Sequence, residues 1–215
     1  MLDNTAVYQV NLDHRTDRWQ QCLENHAAMG FESMGIQRVS AAHEQGYAHL
    51  GCTKSHLKAY TRFLTEDSRD YIMVLEDDFD FRITRDELAQ RMAFLDSTGL
   101  AWDAMLLTAS QINGFATEHP GLGRVFESLT TAGYITRRTY VPKLMEIFVE
   151  SLANLEKFRR FEPRDLITSR FASDVLWQRL QRADNWYVFV PAAGEQRPSY
   201  SDAMGGYVDY RSISI

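Results

Sequence analysis

Four apolar residues, Ile72-Met73-Val74-Leu75, run directly into Glu76-Asp77-Asp78-Phe79-Asp80, five positions that hold four carboxylates. A short continuous apolar run bounded by polar residues fits a strand buried on both faces, which is how central strands of helix-covered parallel sheets read. Acids at the end of such a strand place negative charge at the carboxyl edge of the sheet, where open α/β sheets bind their ligands. Like charges at that density repel, and a hard divalent cation bridging carboxylates to a phosphate is the usual remedy. A solvated acidic turn is the competing reading.

The flanking segments alternate between strand and helix signals. Ala6–Val10 reads as a strand, followed by a helix from about Thr16 to Met29 with Gly30 as its C-terminal stop. Ile36–Val39 is a second strand, and a helix is expected over Thr53–Leu64. Tyr71–Leu75 forms the third strand, Thr84 and Glu87 fit a capping box for the next helix, and Ala104–Leu107 is a fourth strand. The segment 108–123 is small, polar and Gly-rich, and is expected to be a functional loop. Val125–Leu129 and Tyr134–Thr136 are strand-like, Val141 to Leu155 spaces its apolar residues as a helix, Ser173 is an N-cap candidate for a last helix, and Trp186–Val190 is a strand. This β-α-β-α-β-α-β order predicts an α/β fold, with a mostly parallel central sheet flanked by helices on both faces and a single domain over 1–215.

Within that frame four clusters carry chemistry. Asn11, Leu12, Arg15 and Arg18 lie where the first strand meets the first helix, and two arginines one turn apart suit bidentate oxyanion contact. Gly51-Cys52-Thr53-Lys54-Ser55-His56 places small and hydroxyl residues at an expected helix N-terminus, where free amides attract anions, so Lys54 and Ser55 are candidates for ribose, base or phosphate; His56 reads as a structural residue. In the acidic run, Glu76 pairs with Asp78 and Asp78 with Asp80 at strand spacing, so either pair could face one cation, with Asp78 common to both and Asp77 directed away. Asp174 opens a late helix, either as a dipole-matched acid or as a carboxylate that meets an acceptor. Arg159, Arg160 and Arg164 read as a solvated basic loop with acceptor contact as the rival.

Composition narrows the classes. The chain has 215 residues, 45% hydrophobic and 24% charged, with a formal net charge of −6. That excludes a basic footprint for nucleic acid. Two cysteines, Cys22 and Cys52, form no disulfide framework, and no apolar run approaches a membrane span or signal peptide; a soluble protein of the reducing cytoplasm is expected. The abrupt end at Ser212-Ile213-Ser214-Ile215 is compatible with an excised domain of a longer chain.

Three segments in order, Val7-Tyr8-Gln9-Val10-Asn11-Leu12-Asp13 with Arg15 and Arg18, Gly51-Cys52-Thr53-Lys54-Ser55-His56-Leu57, and Val74-Leu75-Glu76-Asp77-Asp78, resemble glycosyltransferase family 25, which includes lipooligosaccharide and procollagen galactosyltransferases. Thr131–Thr136 and Ser173-Asp174 are weaker echoes. The resemblance implies a GT-A fold, a UDP-sugar donor, Mn²⁺ (or Mg²⁺), and inverting transfer of galactose or glucose to a glycan or glycoprotein. It implies a metal held by Asp78 with Glu76 or Asp80, a nucleotide held by Asn11, Leu12, Arg15, Arg18, Lys54, Ser55, Glu76 and Asp77, and Asp174 as base. The chain departs from the pattern in its extra acid Asp80, in having no histidine after His119, and in its divergent second half. Its shortness resembles bacterial or viral members. A metal-dependent nucleotidyltransferase and a non-catalytic nucleotide-sugar-binding module are the alternatives.

Overall fold

The computed structural model describes residues 1–201 and 206–209. In chain order the elements are β1 (Thr5–Asn11), α1 (Thr16–Ala28), β2 (Gln37–Ser40), α2 (Ala48–Glu66), β3 (Tyr71–Glu76), β4 (Phe79–Phe81), α3 (Arg85–Ser97), β5 (Ala104–Leu106), β6 (Ser110–Ala116), β7 (Leu122–Leu129) and β8 (Gly133–Arg137). They continue with α4 (Val141–Lys157), α5 (Arg164–Phe171), α6 (Ser173–Leu176), α7 (Gln178–Ala183), β9 (Trp186–Phe189), β10 (Gly194–Gln196), β11 (Ser199–Ser201) and β12 (Gly206–Val208).

An 8-stranded sheet of order β2-β1-β3-β8-β5-β9-β7-β6 forms the centre. β2, β1, β3, β5, β9 and β6 run one way, while β8 and β7 run against them, so the sheet is mostly parallel in direction. Successive side chains of a strand face opposite sides, and the apolar residues obey this. Tyr8, Val74, Leu106, Tyr134 and Trp186 pack on one face with Tyr60, Phe63, Leu144, Phe148 and Trp177 from α2, α4 and the turn after α6. Val7, Met73, Leu75, Met105, Ile135 and Tyr187 pack on the other with Phe31, Leu88, Met92 and Leu95. Both faces of the central strands are therefore covered, which explains their near-continuous apolar runs. No helix among the described residues is long and apolar enough to cross a membrane.

Several local expectations are corrected. The segment 108–123, expected to be a functional loop, contains β6, which pairs antiparallel with β7 to form the edge of the sheet. The small residues Gly114 and Gly123 made it read as irregular. An added Cβ at Gly114 would collide with the Arg124 carbonyl of the paired strand, so the residue is small because two backbones meet. α2 starts at Ala48, about a turn and a half earlier than expected, so the amides of residues 53–55 are spent inside the helix. Gly51 sits in the first turn of α2, where the carbonyl of Ala42 occupies the space a Cβ would need. Ala172, not Ser173, holds the cap position of α6. Arg164 opens helix α5 where a basic loop is expected. Thr84 does form the capping box with Glu87.

Candidate functional site

The carboxyl ends of β1 and β3 point into one cleft of about 620 Å³, closed by the start of α2, the end of β7 and the first turn of α6. Its wall includes Asn11, Leu12, Arg18, Ser55, Glu76, Asp77, Asp78 and Asp174. Four segments distant in sequence thus deliver most of the expected residues to one place. Arg15, Lys54 and Asp80 do not border it.

The chain reverses in a turn at Asp77-Asp78, and that turn breaks the strand alternation expected through Asp80. Asp80 belongs to β4, which pairs with β10, and its carboxylate accepts a hydrogen bond from Arg197 at 2.7 Å. Asp80 is therefore engaged by Arg197 and does not border the cleft that Asp78 lines. Asp77 is tied rather than free: its Oδ1 meets Arg18 Nη1 at 2.5 Å and its Oδ2 accepts from Asn11 Nδ2 at 2.8 Å. Arg18 and Asn11 thereby brace the acidic turn against β1 and α1. Arg15 forms a two-pronged pair with Asp17, at 2.9 and 2.8 Å.

Asp78 is the outlier of the cluster. Arg18 lies at 3.9 Å from its Oδ2, while its buried Oδ1 has no hydrogen-bond partner among the described residues. Burial pushes its pKa up to about 7, with the charges of Glu76 and Asp77 adding to the effect and the Arg18 charge and a hydrogen bond from the Gln196 side chain to this carboxylate opposing it. A buried, unpartnered carboxylate oxygen facing a cleft is costly unless something binds it.

Glu76 is held from the opposite side. Its Oε1 receives Thr131 Oγ1 at 2.5 Å, His56 Nε2 at 3.1 Å and Cys52 Sγ at 3.6 Å. Burial raises its pKa, but the hydrogen bond and charge of His56, with Thr131 and Cys52, outweigh this and leave it below the usual range.

The Gly51–His56 segment works differently from an anion loop. Ser55 Oγ accepts from the Ala42 amide at 2.9 Å and donates to the Gly51 carbonyl at 2.6 Å, clamping the loop that Gly51 allows to approach. Lys54 faces the other way, bonding Glu44 at 2.6 Å and Glu156 at 2.7 Å. Arg159 joins the same patch at 2.8 Å from Glu44, and Arg164 pairs with Glu162.

Asp174 closes the cleft through Thr130, whose amide donates to its Oδ2 at 3.1 Å. Thr130 holds φ at 74°, a conformation a β-branched residue adopts only when its surroundings impose it. Its hydroxyl donates to Gln196 Oε1 at 2.7 Å. Burial raises the pKa of Asp174, and Glu76 adds to this, while the Thr130 amide and His49 oppose it. Sequence reasoning missed Thr130, Thr131, Gln196 and Cys52 as cleft residues. Cys52 sits four residues before His56, so the helical period could have signalled it; the others are united only by tertiary folding.

No family model matches this chain, and no curated protein matches it. Among solved structures it is similar to A197 from STIV, at 10% identity over 95% of this chain and 92% of that chain, with a TM-score of 0.47. A glycosyltransferase involved in the glycosylation of the major capsid of PBCV-1 is similar at 9% identity over 86% of this chain and 93% of that one, TM-score 0.44. UDP-glucose pyrophosphorylase complexed with UDP-glucose is similar at 10% identity over 87% and 74%, TM-score 0.47. With these scores and identities, none of the likenesses carries an argument about what this chain does.

Proposed function

We propose that this chain is a metal-dependent glycosyltransferase of the GT-A type that moves a hexose from a UDP-sugar, UDP-galactose or UDP-glucose, to a glycan or glycoprotein acceptor. The observation that carries this reading is the buried Oδ1 of Asp78, which has no hydrogen-bond partner among the described residues, at a cleft that also presents Glu76 and Asp174. Oxygen donors of this kind suit Mn²⁺ or Mg²⁺, and Asp78 with Glu76 would hold the ion. Such an ion supplies charge neutralisation and Lewis acidity to a departing diphosphate.

The chain's own residues do the rest. Asn11 and Arg18 keep Asp77 in place, so the acidic turn cannot collapse when its charge changes. Leu12 offers an apolar contact for a nucleoside on the same wall, while Ser55 holds the Ala42 loop that shapes it. Asp174, with its proton affinity raised by burial, is suited to take the acceptor hydroxyl proton as the new bond forms, which fits inverting chemistry. Lys54, Arg15 and Asp80 are left out of this assignment because their side chains are engaged elsewhere.

Calorimetric titration of UDP, GDP and CMP, each with and without Mn²⁺, tests the donor site. UDP binding that requires the metal and weakens at least about tenfold in Asp78→Ala is expected. Metal-independent binding, or none to any nucleotide, would sink the assignment. Release of free sugar from a bound UDP-sugar then separates an enzyme from a non-catalytic binding module.

A further inference from the structure

Three chemically different donors surround one oxygen of Glu76. His56 Nε2 stands 3.1 Å from Oε1, Cys52 Sγ 3.6 Å, and Thr131 Oγ1 2.5 Å. A carboxylate oxygen offers about two lone-pair directions, so three neighbours exceed what hydrogen bonding to that atom can use well. The thiol is the poorest donor of the three. A cation at their centre would instead draw on a lone pair from sulfur, nitrogen and oxygen together.

The ligand atoms of Cys52, His56 and Glu76 lie within 4.8 Å of one another. Tetrahedral zinc, with bonds of about 2.0–2.3 Å, implies ligand-to-ligand edges of about 3.4 Å for N···O and about 3.6 Å for S···O. The observed edges are 3.1 and 3.6 Å. Cys52 and His56 are four residues apart on α2, which places them on one face of the helix, and Glu76 comes to them from the end of β3.

The surroundings are those of a prepared ligand set. His56 is fully buried, its ring stacked on Tyr134 at 5.9 Å and against Phe148 at 5.4 Å. Its other nitrogen, Nδ1, is 2.9 Å from the Tyr134 hydroxyl, which in turn contacts the Tyr60 hydroxyl. A hydrogen bond on the far ring nitrogen is the usual device that fixes the orientation of a metal-bound histidine. Cys52, Glu76 and Thr131 border the cleft, so an ion has an entry path and a fourth position open to solvent or substrate.

We propose that Cys52, His56 and Glu76 form a site for a borderline-soft divalent ion of the Zn²⁺ class at the floor of the cleft, with its fourth position toward the cavity. The mixed S, N and O donor set disfavours Mg²⁺ and Ca²⁺, which take oxygen ligands. The site takes Glu76 Oε1 and so shares Glu76 with the cation pair proposed above, but its test does not depend on sugar transfer. The thiol proton leaves to solvent as the ion binds.

Cobalt titration under reducing conditions tests this. One equivalent of Co²⁺ should give a thiolate-to-metal charge-transfer band with tetrahedral d–d bands, and Zn²⁺ should bleach both. The bands should vanish in Cys52→Ala and His56→Gln and persist in Cys22→Ala. Tyr134→Phe should bind Zn²⁺ about tenfold more weakly. Far-ultraviolet circular dichroism establishes that each variant is folded; Cys52→Ala, a small change at a half-buried position, serves if His56→Gln does not fold. Absence of the bands in native protein, or their survival in a folded Cys52→Ala, would overturn the proposal. Because UDP calorimetry with Mn²⁺ reads Asp78 and cobalt spectra read Cys52, failure of one assignment is distinguishable from failure of the other.

Discussion

Replacing Asp78 with asparagine should stabilise the metal-free protein at alkaline pH. Asparagine keeps the shape and removes the charge. In the folded chain burial raises the Asp78 pKa to about 7 from an ordinary value of 3.8. Between these values the folded state keeps a proton that the unfolded chain has released, so native stability falls as pH rises through that window. A shift of about 3 units at about 1.4 kcal/mol each sets a ceiling near 4 kcal/mol, fully expressed above pH ~7. Glu76 responds to the same charge, so the net change will be smaller than this ceiling. Urea unfolding of both proteins at pH 5, 6, 7 and 8 in a chelator measures it, and the stability of Asp78→Asn relative to native should climb across the series. Adding Mn²⁺ at pH 8 should stabilise the native chain more than the variant. A difference between the two proteins that stays flat with pH, within about 0.5 kcal/mol, would refute the buried-charge account of this carboxylate.

Three further outcomes are expected. Gly194→Ala should cost about 2 kcal/mol by denaturant midpoint, because its Cβ would collide with the Asp80 carbonyl and the Phe79 ring and push β4 away from β10. Thr84→Ala should cost about 1 kcal/mol through loss of the α3 capping box; no change in thermal midpoint would mean that the cap adds nothing in this context. Lys54→Ala should leave UDP affinity within about twofold by calorimetry, since the side chain lies between Glu44 and Glu156; a tenfold loss would return it to the nucleotide site.

Much of the layer structure was legible from local pattern. The apolar runs at Tyr71–Glu76 and Trp186–Phe189 are strands because both faces of a central strand are covered, and that condition writes itself into the residues as an unbroken hydrophobic stretch. The capping box at Thr84 is equally local: two side chains and two amides within one turn. Elements with a weaker local signature are not legible in this way. β6 carries Gly114 and exposed polar residues because it lies at the sheet edge against another backbone, which periodicity does not report. α2 starts earlier than its local pattern suggests, because Gly51 reads as a helix opener while its smallness answers to Ala42 in a neighbouring loop.

By itself the sequence determined the alternation of elements, the burial of the central strands and the gathering of acids at the end of β3, since each follows from interactions between residues near in the chain. Tertiary structure alone decided what those acids do. Asp77 is spent on Arg18 and Asn11, Asp80 on Arg197, Glu76 is held by Cys52, His56 and Thr131, and Asp78 keeps a buried oxygen without a partner among the described residues. The physical reason is that a carboxylate's state depends on the charges and donors within a few ångströms of it, and these come from β1, α1, α2, the β7–β8 turn and the segment after β10, none of them near it in sequence.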